Sequence, residues 1–251
     1  MSKPSAKSMW QPTIPINQSI YEDDTTKRAP LGTRLEVGDK VFYYAQASAS
    51  VSGGIVLSNL AISGTAETLV SCTGTTGNSY LTITAGTNMT ANDYAEGVLY
   101  SHTVTGGIRS YRIKSHGSIG SAGTGTVYLY DTLEANIVAA DTVGIMKHPY
   151  KKVKVVNAAT NVAMGVATID VTANGYFWMQ TFGPAAVGVE ADGTAPAGDI
   201  VVAGTGGYLK QGGATGDDHS DTVVGKAIGI DATNIGGTAQ ESTLVWLTMR
   251  H

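Results

Sequence analysis

Residues 165–189, GVATIDVTANGYFWMQTFGPAAVGV, decide the fold class. They contain two apolar runs separated by Ala173-Asn174-Gly175. Asn-Gly is a strong hairpin signal, because both residues tolerate the left-handed backbone that a tight turn between antiparallel strands demands. No helical period runs through the stretch. MGVATIDV and GYFWMQTFG therefore read as a strand pair. In a strand, alternate side chains point to opposite faces. Tyr176, Trp178 and Gln180 share one face, and Phe177, Met179 and Thr181 the other. Neither face is polar, so the strand lies in a two-sided core or presses outward on a partner. We expect Phe177 and Met179 to face the core, and Tyr176 and Trp178 to form a partner contact.

Strand signals extend in both directions. After 165–189 come DIVVAG, GYLKQG, VVGKAIGI and TLVWLTMR, separated by Gly, Asn or Asp turns. Before it comes KKVKVVNA, where Lys alternates with Val. Residues 151–251 are expected to form a small β-barrel. A weak internal echo links GVATIDVTANGYFWMQT, with Trp178, to GKAIGIDATN and STLVWLTM, with Trp246. Residues 36–150 read as a β-sandwich-like domain: KVFYYAQAS, two strands in TLVSCTGTTGNSYLTITAGTNM, then GVLYSHTV, RSYRIKSHGSI and TGTVYLYDTL. The stretch TLEANIVAADTVGIMKH has a faint helical period and equally fits a loop followed by a strand.

Residues 1–35 read as an extended N-terminal arm. Pro4, Pro12, Pro15 and Pro30 are four of the chain's 7 prolines. Each disfavours helix at its own and the preceding position. Trp10, Ile14, Ile16, Ile20 and Tyr21 are spaced apolar anchors. They are expected to bind a groove or a neighbouring subunit. The fold class expected is thus all-β: an extended arm followed by two small barrel or sandwich domains.

Composition narrows the function. Gly is 32 of 251 residues and charged residues are 14%, a balance suited to tight-turned sheets and to surfaces covered by other subunits. A net charge of -4 offers no field to recruit nucleic acid. Lys147, Lys151, Lys152 and Lys154 form a local basic cluster, either a solvated face or a dock for an acidic partner. The single Cys72 makes no intrachain disulfide and is expected to be a buried strand residue. No apolar run is long enough to span a membrane as a helix. The N-terminus lacks the apolar core of a secretion signal, so a cytoplasmic site of assembly is expected.

Reactive motifs are sparse. His102, His116, His148, His219 and His251 show no metal-ligand spacing, and His148 beside Pro149 is expected in a turn. The loop GDDHSD (Asp217, Asp218, His219, Asp221) could offer carboxylates to Ca²⁺, but it lacks the order of a Ca²⁺ loop and fits an exposed polar turn. GSIGSAGTGT and AGTGGYLKQGG lack the Lys-Ser/Thr of a phosphate-gripping loop. No nucleophile elbow occurs. Hence no catalytic, cofactor-binding or metal-binding residue is assigned, and no cofactor is expected.

Two stretches carry a resemblance. RAPLGTRLEVGDKVFYYAQASAS resembles the opening of tailed-bacteriophage head decoration (cement) proteins, with Pro-Leu-Gly-Thr, a turn and a Val-Phe-x-Tyr-Ala strand. The segment from GVATIDV through GYFWMQT and AGDIVV to VVGKAIGI is similar to the barrel of such virion proteins. The resemblance covers residues 29–50 and most of 160–251. It implies a virion structural protein on the capsid exterior. Such a protein is a homotrimer or homodimer that braces adjacent major capsid proteins, contacting neither membrane nor nucleic acid. Alternatives are a tail-tube or fibre-associated β protein, or a carbohydrate-binding β module using Trp178 and Gln180.

Overall fold

The computed structural model describes residues 18–59, 66–103, 109–157, 162–190, 196–212, 222–229 and 241–249. Trp10, Ile14 and Ile16 of the arm, and the loop carrying Asp217, Asp218, His219 and Asp221, lie outside them. The chain is all-β. Its described residues contain no α-helix, only a 3-10 turn at Thr205–Gly207.

Three strands open the fold: β1 (Arg34–Val37), β2 (Lys40–Gln46) and β3 (Ile55–Ser58). Six follow and close on themselves: β4 (Ala66–Thr73), β5 (Tyr80–Thr84), β6 (Val98–Thr103), β7 (Ser110–His116), β8 (Thr124–Leu129) and β9 (Thr142–Met146). Their order around the barrel is β4-β5-β8-β7-β6-β9. Closure leaves this sheet no edge to aggregate. The alternation in Tyr-Leu-Thr-Ile-Thr and Ser-Tyr-Arg-Ile-Lys is read out directly. Leu81, Ile83, Tyr111, Ile113, Val127, Leu129, Val143 and Ile145 fill the interior. Tyr80, Arg112 and Lys114 point out. Cys72 is buried in β4 as expected, and burial pushes its thiol up to about 11. TLEANIVAADTVGIMKH resolves as loop plus strand, since Thr142–Met146 is β9.

The chain then returns to the first sheet with β10 (Lys154–Val155), β11 (Ala163–Ala167), β12 (Tyr176–Gly188), β13 (Ile200–Ala203), β14 (Leu209–Gln211), β15 (Val223–Ala227) and β16 (Ser242–Thr248). The order is β10-β3-β11-β12-β16-β15-β13-β14, with β2 on β12 and β1 on β2. The sheet curls until Leu209 of β14 bridges Val189, just past the end of β12. Val187, Val189, Val201, Leu209, Val224, Val245 and Leu247 line the inside of the curl. The strands thus partition the chain differently from the expected break at 150. Residues 34–58 belong with 154–248, and the six-stranded barrel is an insertion between β3 and β10. Local pattern marks strands, but a pairing between β2 and β12, some 130 residues apart, leaves no local trace.

The expected strand GYFWMQTFG runs on through Gly188 as one long strand, β12. It pairs first with β2 (Tyr176↔Gln46 to Phe182↔Val41, with a register shift after Gln180), and then with β16 (Phe182↔Thr248 to Gly188↔Ser242). At the changeover Gly183 has φ +86, and the Asp39 carbonyl packs where a Cβ would sit. Both facts require glycine there. A bulge at Gln180/Phe182 frees carbonyls, and the Gln180 amide donates to Phe182 O (3.1 Å) and Pro184 O (3.0 Å). Asn174 does adopt left-handed backbone (φ 62), in a turn closed by Gly175 N–H to Thr172 O. The β11–β12 link is longer than a tight hairpin, because Val171 first bridges Val51. KKVKVVNA yields only the two-residue β10.

Candidate interaction surfaces

Trp178 does not face a partner. It is 0% exposed, and its cover comes from the same chain. The segment just before β1 lies over it. The Trp178 indole N–H donates to Gln18 O (3.2 Å), Gln18 Nε2 donates to Tyr176 O (2.7 Å), and the Tyr44 hydroxyl donates to Gln18 Oε1 (2.7 Å). Asp24 bridges Tyr176, while Ala29 and Leu31 are buried in the same core. Tyr44 meets Trp178 edge-on at 5.0 Å. Tyr176 is half-buried and stacks on Tyr44 at 6.0 Å. The expected partner face is therefore internal, because residues 18–31 satisfy it in cis. Of the arm residues within the described chain, Ile20 packs on this core and Tyr21 is exposed. Gln180 is also buried, so the glycan-binding pair Trp178 and Gln180 is not accessible.

The basic cluster is likewise largely consumed internally. Lys147 pairs with Asp93 at 2.5 Å, and Lys151 and Lys152 stand 3.7 and 3.8 Å from the same carboxylate. Lys151 also donates to the Asn92 and Asp93 carbonyls (2.9 and 2.7 Å). Despite burial, these cations and the Lys147 hydrogen bond hold the Asp93 carboxyl below its ordinary range. Lys27 pairs with Glu96 at 2.5 Å. These contacts join the barrel loop at 90–97 to the return segment 147–152 and to the segment before β1. Asn92, Glu96 and Lys152 all take positive φ here (59, 66 and 56), a concentration of strain held by the surrounding bonds. The cluster works as a staple between barrel and sheet.

Histidine geometry is structural where it is described. His148 heads the turn His148-Pro149-Tyr150-Lys151, closed by Lys151 N–H to His148 O (2.8 Å). Burial lowers its pKa to about 4. His116 accepts from Tyr94 N–H through Nε2 (3.0 Å), and its Nδ1 lies 2.7 Å from Gly117 O, which fixes the Nδ1–H tautomer. Among the described residues no group of three His, Cys, Asp or Glu could hold a metal ion.

The outward side of the curled sheet differs from all of these. Pro184, Trp246, Lys226 and Ile200 stand side by side on β12, β16, β15 and β13, in one continuous row of paired residues. Ala186 and Leu244 form the next row, and Ile228 joins it through its N–H to Leu244 O (2.8 Å). Trp246 is 36% exposed, Leu244 43%, and Ile200 and Ile228 47% each. Phe182 meets Trp246 edge-on at 5.8 Å. Four adjacent strands thus present large apolar side chains around Lys226, a surface of the kind soluble chains seldom leave uncovered. Sequence reasoning placed its partner contact at Trp178 and missed this one. The signal was the same in both places: STLVWLT is apolar at Leu244 and Trp246 as well as at Val245 and Leu247.

No protein-family model, curated protein or solved structure matches the chain.

Proposed function

We propose that this protein is a virion structural subunit that decorates the head of a tailed bacteriophage, docking across adjacent major capsid proteins as a homotrimer or homodimer. The observation that carries this reading is the exposed apolar face of Trp246, Leu244, Ile228 and Ile200 on a hydrogen-bonded sheet. Large apolar side chains held on paired strands lose little conformational freedom on docking, which favours tight contact. Each docked copy contributes modestly, and repetition over a lattice turns modest contacts into stable occupancy. The resemblance at residues 29–50 and 160–251 supports the same reading. These stretches form β1, β2 and the curled sheet that bears the face, whereas the barrel they omit is the insertion.

The test is occupancy. Heads assembled without this chain are mixed with purified wild type or with Trp246→Glu, sedimented, and imaged by electron microscopy. Ordered density on the outer lattice for wild type, lost for Trp246→Glu, supports the reading. Wild-type protein that stays in the supernatant, or that appears only on tails, overturns it.

A further inference from the structure

The inserted barrel presents a second surface with different chemistry. On its outer wall Tyr80 of β5 pairs with Tyr128 of β8, their rings 6.3 Å apart and tilted by 54°. The next two rows along the same strands are Thr82 with Thr126 and Thr84 with Thr124. Tyr130 follows β8, and Arg112 of β7 lies over its ring at 5.5 Å. Lys114, two residues on, is exposed beside them. The three tyrosines are 45–54% exposed. No carboxylate occupies a described outward position on β5, β7 or β8. In the loop after β8, Glu134 pairs with Arg109 and Asp131 is exposed.

We propose that this wall binds an acidic polysaccharide. Exposed phenol rings offer an apolar face and a hydroxyl together, which suits the alternating C–H and O–H surface of a sugar ring. The threonine rows add hydroxyl donors and acceptors. Arg112 and Lys114, without facing carboxylates, complement a carboxylated or sulfated chain. A protein partner fits less well: Tyr and Arg are common interface anchors, but the rest of this wall is rows of threonine, which are under-represented among such anchors. Single-stranded nucleic acid needs a denser cationic groove and flat, successive stacking platforms. Here there are two cations and two rings tilted out of parallel. The surface uses no residue of the proposed capsid-docking face, so the two assignments stand or fall separately.

The experiment passes the full-length chain over immobilised heparin, polygalacturonate, neutral dextran and a dT oligonucleotide. Retention on both acidic polysaccharides, weakened by salt and absent on dextran, is expected. Tyr128→Ser and the double change Arg112→Gln with Lys114→Gln should each weaken binding about tenfold or more, with the melting temperature unchanged. Leu244→Glu should bind as wild type. Failure of the wild type to bind either acidic polysaccharide overturns the assignment. So does equal retention on dextran, stronger retention on dT, or undiminished binding by the Arg112/Lys114 double variant.

Discussion

Trp178 and Trp246 stand in segments of similar wording, on strands that pair directly with one another. One indole is sealed and the other is half open to solvent. The difference lies in what reaches each strand. Over Trp178 lie residues 18–31, whose Gln18 carbonyl takes the indole proton and whose Ala29 and Leu31 complete the core. Trp246 has Phe182 edge-on to its ring and Pro184 and Lys226 beside it in the sheet, and it remains 36% exposed. A two-faced apolar strand signals that something must cover its second face. It does not signal whether that cover comes from the same chain or from another.

Removing the cover is the harshest way to break this comparison. A chain starting at residue 32 exposes Trp178 and Tyr44 and strands the Trp178 N–H and the Tyr44 hydroxyl. Loss of cooperative unfolding is expected by calorimetry. A chain starting at Gln18 keeps every one of these bonds and should melt like the full-length protein. Equal melting of both truncations would show that residues 18–31 are not the lid of this core.

Trp178→Ala asks the same question at one side chain. Truncating a fully buried aromatic costs about 3–5 kcal/mol. The indole also donates to Gln18 O, so the upper half of that range is expected in urea unfolding. A change below about 1 kcal/mol, the scale of surface substitutions, would place Trp178 outside the core.

Much of this was legible in the sequence. The strands β5, β7 and β8 were each marked, within an expected sandwich-like domain where the structure has a closed barrel, and Asn174 takes the left-handed backbone that an Asn-Gly turn favours. Cys72 and His148 fell where their neighbours implied. What was not legible is long-range. The Gly183 changeover, which lets one strand serve β2 and β16 in succession, depends on the Asp39 carbonyl arriving from 144 positions upstream. The lysines of 147–152 look like a docking patch until Asp93, from another strand connection, is brought among them. Trp178 looks like an interface until Gln18 arrives. In each case the chemistry of a residue was read correctly, and its partner was supplied by topology.

Acid should separate the two tryptophan regions. His148 and Tyr150 border the Trp178 core, with Tyr150 stacked on Tyr43 at 5.1 Å. Burial lowers the His148 pKa from 6.5 to about 4. Between those values the unfolded chain binds the proton more readily, so stability falls as pH drops from about 6.5 to about 4, then levels for this group. The Asp93 carboxyl, also lowered, adds its loss below the ordinary Asp range, in the same direction. Discounting for partial exposure, the His148 contribution is on the order of 2 kcal/mol. In a Trp10→Phe, Trp246→Phe background, the Trp178 emission should report a lower urea midpoint at pH 4.5 than at pH 7. His148→Gln should flatten that dependence. An unchanged slope in the variant would assign the acid response to other groups.

The smallest expected effect is the most informative about Trp246. It meets solvent over about a third of its surface, so Trp246→Glu removes less burial than Trp178→Ala, and the new carboxylate stands beside Lys226, its neighbour across β15. Stability in urea should fall by about 1 kcal/mol, the centre of the range for single substitutions and well below the cost of Trp178→Ala. Trp178, on the neighbouring strand, cannot be changed so lightly. An exposed tryptophan whose loss leaves the fold intact is free to be selected for contact with another molecule. Should Trp246→Glu instead cost as much as Trp178→Ala, the outer face would be a core whose cover comes from this chain, and its surface would need no partner at all.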